Sequence, residues 1–104
     1  MAPLPLACSL TTPELRARRE QLLELLRQRR PERSPLPNGY RLRFDGGGDI
    51  VSLLAPIIEA ERECCPFLQM RLTVEPGHGS VWLELTGPRG TRAFLEQELG
   101  LAAR

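Results

Sequence analysis

Apolar positions along this chain switch between a period near 3.6 and a period of 2, and the switches predict its elements. Leu15, Leu22, Leu25 and Leu26 recur at helical spacing behind Thr11-Thr12-Pro13-Glu14. There a threonine can cap the free amides, proline tolerates the first turn and glutamate suits the positive helix end. The spacing predicts a helix over residues 12–30, stopped by Pro31. Residues 31–39 read as a proline-rich connector ending in the Asn38-Gly39 turn signal. Strict alternation then begins in Tyr40-Arg41-Leu42-Arg43-Phe44, a strand with Tyr40, Leu42 and Phe44 inward.

Asp45 to Gly48 form a loop, and Asp49 can cap a second helix running to about Cys65, with Pro56 expected to kink or break it. Met70–Glu75 and Ser80–Thr86 alternate on either side of Pro76-Gly77-His78-Gly79. That is a β-hairpin, with Leu72, Val74, Val81, Leu83 and Leu85 inward. Gly87-Pro88 opens a last helix that packs Phe94, Leu95 and Leu99 and closes at Gly100. The order is α-β-α-β-β-α: an α+β fold with a small three-stranded sheet, antiparallel or mixed, and helices packed on it. Any parallel crossover through the second helix should be right-handed. At 104 residues and 41% hydrophobic composition, a single domain over 1–104 is expected, with 1–11 as an N-terminal segment and 40–100 as the β-α-β-β-α core.

The second helix carries the chain's candidate chemistry. At 100° per residue, Ile50, Leu54, Ile57, Glu61 and Cys64 share one stripe, with Cys65 near its edge. Cys64 should point inward and Cys65 reach the boundary. Glu61 stands inside the apolar stripe one turn before both thiols, where it needs either a raised pKa or a partner such as Arg41 or Arg43. Pro66 ends the helix, and the negative helix terminus should raise thiol pKa values, which favours metal coordination over nucleophilic attack. Cys8 can complete the set if the N-terminal segment folds back over the end of this helix. Three thiolates suit a trigonal soft ion and two a linear one, so Hg(II), Cu(I), As(III) and Zn(II) are the candidate ions; zinc would need a fourth ligand from Glu61 or His78. No organic cofactor is implied.

Composition narrows the alternatives. All fourteen basic residues are arginine, so Schiff-base chemistry and a phosphate-loop lysine are excluded, and Gly46-Gly47-Gly48 reads as a loop. A net charge of +1 gives no field for nucleic acid or an anionic membrane, and the seven arginines against four glutamates between Thr11 and Arg33 read as a solvated face. The lone His78 rules out multi-histidine sites. No apolar run spans a bilayer. The start, Met1 to Cys8, lacks the basic residues of an export signal, so a cytoplasmic location with three free thiols is expected.

The chain resembles a group of small uncharacterised bacterial proteins loosely associated with heavy-metal resistance. The shared segments are Glu61-Arg62-Glu63-Cys64-Cys65-Pro66-Phe67, Leu6-Ala7-Cys8-Ser9-Leu10, Gly39-Tyr40 with Phe44, and Val81-Trp82-Leu83-Glu84-Leu85-Thr86-Gly87. The resemblance implies that Cys8, Cys64 and Cys65 belong to one pattern, and it names no reaction. Three readings stay open. The first is a soft-metal or metalloid binding protein. The second is a thiol enzyme, for redox chemistry or carbon–metal bond cleavage, using Cys65 and Cys64 with Glu61 as proton donor or acceptor. The third is an interaction domain, as a homodimer through an outward Trp82 that helix one would cover in the plainer case.

Overall fold

The computed structural model describes residues 6–101. Met1 to Pro5, part of the stretch weighed as an export signal, and residues 102–104 lie outside the described residues. The elements are α1 (Pro13–Gln28), β1 (Glu32–Leu36), β2 (Gly39–Phe44), α2 (Ile50–Cys64), β3 (Gln69–Val74), β4 (Val81–Thr86) and α3 (Thr91–Glu98). The four strands form one antiparallel sheet in the order β1-β2-β4-β3.

The sheet therefore has four strands rather than three, and the extra one is the presumed connector. β1 joins β2 through the two-residue turn Pro37–Asn38, with Leu36 opposite Gly39. Its sequence, Glu-Arg-Ser-Pro-Leu, does not alternate because none of its residues is buried. Pro35 is tolerated because β1 is an edge strand with only one partner. Strands β2 and β3 both run antiparallel to β4 and so run parallel to each other, with β4 inserted between them and α2 as their connection.

The helices lie on one face of the sheet. Leu22, Leu23 and Leu26 of α1, Ile50, Leu54 and Ile57 of α2, and Leu95 beside Leu99 pack with Tyr40, Leu42, Phe44, Val81, Leu83 and Leu85 in one buried cluster. In α1 the inward stripe is Arg19, Leu22, Leu23 and Leu26, while Leu15 and Leu25 are exposed. Thr12 caps α1 as expected, its hydroxyl accepting from the Leu15 amide. Asp49 takes the cap position of α2 but makes no capping bond; its carboxylate pairs with Arg29 instead. The helix runs unbroken through Pro56.

Two inward expectations fail at the β3 edge. Leu72 and Val74 are paired with Leu83 and Val81 and share their face, yet they are 40% and 55% exposed. Of this strand's apolar residues, Met70 packs against the main core and Leu72 and Val74 do not belong to it. On the opposite face Trp82 is half-buried, without a helix above it. The Arg41 and Arg43 guanidinium carbons lie 5.8 and 6.0 Å from its ring centre, and its indole N–H donates to Glu75. The glycine loop ahead of α2 is a packing device: a Cβ at Gly46 would come within 1.6 Å of the Gly79 carbonyl oxygen in the β3–β4 turn. Among the described residues no helix is long and apolar enough to cross a membrane.

Candidate functional site

A second, smaller cluster lies at the C-terminal end of α2, where Leu10, Cys64, Cys65 and Phe67 are buried and Cys8, Leu68 and Phe94 pack against them. Local sequence accounts for its geometry. Proline disfavours helical backbone in the residue before it, so Cys65, ahead of Pro66, leaves the helix as its C-cap at φ −125° and ψ 73°. Its amide still donates to the Glu61 carbonyl at 2.7 Å. The two adjacent side chains thus converge, with Sγ atoms 3.5 Å apart. Both cysteines have no exposed surface; Cys65, expected at the boundary, is as buried as Cys64.

The N-terminal segment closes the site. The Ser9 amide donates to the Cys64 carbonyl at 2.7 Å and the Ser9 hydroxyl donates to the Glu63 carbonyl, so the segment satisfies acceptors left free at the end of α2. Arg16 of α1 fixes the same segment by donating to the Leu10 carbonyl at 3.0 Å. Leu10 then covers the thiols from one side. Phe67 and Phe94, edge to face with ring centres 5.1 Å apart, belong to the same cluster.

Glu61 is 2% exposed, and its partner is neither Arg41 nor Arg43 but Arg19 of α1. The guanidinium Nε donates to Oε1 at 2.8 Å and Nη2 to Oε2 at 3.4 Å, while Nη1 reaches Glu98 of α3 at 3.4 Å. One buried arginine therefore ties the three helices together. Burial alone would lower the Arg19 pKa, but the hydrogen bond and charge of Glu61 outweigh it and hold the guanidinium above its ordinary value. Among the described residues, no buried side-chain oxygen or nitrogen lacks a partner.

The Cys65 thiol donates to Glu61 Oε2 at 3.5 Å, and the ligand atoms of Glu61, Cys64 and Cys65 all lie within 4.8 Å of one another. Burial, reinforced by a hydrogen bond with Cys8, pushes the Cys64 thiol up to about 12. Burial and then the Glu61 charge raise Cys65 as well. The expected direction holds, with desolvation as its leading cause. Cys8 is half-buried beside Cys64 but outside the group of three clustered donors. His78 is exposed in its hairpin turn and is no part of that group.

Between α1 and α2 runs a cleft of about 400 Å³, lined by Leu10, Pro56, Ala60 and Arg19 among others. Cys64, Cys65 and Glu61 do not line it, whereas Arg19, the partner of Glu61, does. The residue that sequence reasoning missed is Arg19. Its signal was available: it stands four residues after Leu15 and three before Leu22, a charge inside an apolar stripe. Glu61 interrupts α2 in the same way, so each helix carries one misplaced charge and the two are opposite in sign.

Fold and site together define a small α+β protein with a buried, sulfur-rich cluster beside an ion pair. No family model, curated protein or solved structure matches the chain.

Proposed function

We propose that the protein binds a soft heavy-metal or metalloid ion through the sulfurs of Cys64 and Cys65, with Cys8 as a further donor and Glu61 beside them. The observation that carries this reading is the convergence of two thiols and a carboxylate within 4.8 Å of one another. Both carboxylate oxygens already face Arg19, so sulfur is the donor left to a ligand, and sulfur selects soft ions. A bound cation drives thiol deprotonation by its own charge, so coordination proceeds against the raised thiol pKa values, with an affinity that falls as pH is lowered. The raised values weigh against an attacking thiolate, which needs a lowered pKa and access to its substrate. The role that follows is metal handling or detoxification in a reducing compartment such as the cytoplasm, where thiols stay free.

Intact-protein mass spectrometry under reducing conditions, with Hg(II), Cu(I), As(III) and Zn(II) offered separately, tests this reading. One equivalent of a soft ion should be retained. Undiminished uptake by a Cys64→Ser/Cys65→Ser variant would overturn it.

A further inference from the structure

Resting on that reading, we infer that the site is a three-sulfur seat for a trivalent, pyramidal metalloid supplied as its neutral trihydroxide, As(III) or Sb(III), with Cys64 and Cys65 as its base and Cys8 as the closing ligand. The spacing of the sulfurs is the first reason. Two bonds of ~2.3 Å that span 3.5 Å meet at roughly 100° at the shared atom. A linear dithiolate of Hg(II) or Cu(I) would hold its sulfurs roughly 4.6 Å apart, twice the same bond length. The two thiols stand on consecutive residues, with Cys64 in the last turn of α2 and Cys65 as its cap, so the narrow angle is built into the chain. A bond angle a little wider than a right angle is what a lone-pair-bearing trivalent arsenic or antimony adopts.

Charge is the second reason. The Glu61 carboxylate is already matched by Arg19, and the cysteines lie at the negative end of α2 with no exposed surface. An added anion, such as a Cu(I) dithiolate, would be disfavoured there by both burial and helix polarity. A metalloid tris-thiolate is neutral and adds no charge.

The exchange balances without any oxidant or added acid. Three metalloid–oxygen bonds break and three metalloid–sulfur bonds form, and each thiol proton leaves with a displaced hydroxide as water. The oxidation state does not change. Glu61 Oε2 accepts the Cys65 S–H at 3.5 Å and so orients that sulfur beside Cys64. Cys8 is the one cysteine of the three that is not fully buried, and the bond from the adjacent Ser9 amide to the Cys64 carbonyl holds it beside the pair as the third sulfur.

The test loads reduced full-length protein with sodium arsenite and, in parallel, with Hg(II) and Zn(II). Intact mass then distinguishes an adduct that has lost all three hydroxyls from one that keeps a hydroxyl, and arsenic-edge X-ray absorption counts the sulfur neighbours. One arsenic per chain with three sulfur and no oxygen neighbours is expected. Cys8→Ser, at a half-exposed position, should keep one hydroxyl on arsenic and weaken arsenite binding by about tenfold or more through loss of an intramolecular ligand. Hg(II) retained while arsenite is not would overturn the metalloid seat and leave the soft-metal reading standing. Retention of no ion would overturn both. Bound arsenic that keeps a hydroxyl, with affinity unchanged in Cys8→Ser, would overturn the third sulfur.

Discussion

The main core and the cluster at the end of α2 are built from opposite materials. The first joins aliphatic and aromatic side chains from both sheet and helices. The second is small and holds two thiols beside a buried Arg19–Glu61 pair. Apolar surface packs with little demand on orientation, whereas a buried charge or thiol is stable only if specific partners are brought to it. The main core is therefore sensitive to lost volume, whereas the smaller cluster is sensitive to a lost partner.

The largest effects should come from breaking the ion pair. Arg19→Met alone leaves the buried Glu61 charge unmatched and should cost about 3–5 kcal/mol in denaturant unfolding, whereas Glu61→Met leaves Arg19 its contact with Glu98 and should cost less. The double variant should recover most of that loss, since replacing a whole buried pair by apolar residues is often neutral. A main-core truncation, Leu54→Ala, should cost a similar ~2–5 kcal/mol but leave ion uptake per folded molecule unchanged. If Leu54→Ala abolishes uptake in protein that remains folded, the two regions are not separable.

The thiols sharpen the contrast through pH. A raised folded-state pKa means that the native state keeps its proton while the unfolded chain ionises near the ordinary thiol value of 9.0. The contribution is complete below that value and is lost as pH rises toward about 12, the folded value of Cys64. Thermal stability should fall across this interval. Tyr40, also raised by burial and its bond to Glu96, adds to the fall at its upper end. Cys64→Ala/Cys65→Ala should flatten the thiol part of the slope, and each single change should cost only ~1 kcal/mol at neutral pH. The smallest effect should be at Leu72. Despite its inward face, Leu72→Ser should change stability by less than ~0.5 kcal/mol, whereas Leu83→Ser, on the paired residue, should cost several times more in the same melts.

The stripe Ile50, Leu54, Ile57, Glu61 and Cys64 was legible in the sequence, and these are the buried residues of α2. The hairpin β3–β4 was legible as well, because alternation and turn residues are local signals. Strand β1 was not, since an edge strand with no buried residue carries no alternation and its prolines mimic a linker. Among the site residues, the sequence by itself determined that two thiols would sit side by side at a helix end with a carboxylate one turn away. The tertiary structure alone decided that Arg19 meets that carboxylate across 42 residues, that Ser9 hangs Cys8 beside Cys64, and that Leu72 stays uncovered. Periodicity fixes which face a side chain takes. What stands opposite that face depends on contacts between distant segments, which local pattern does not encode.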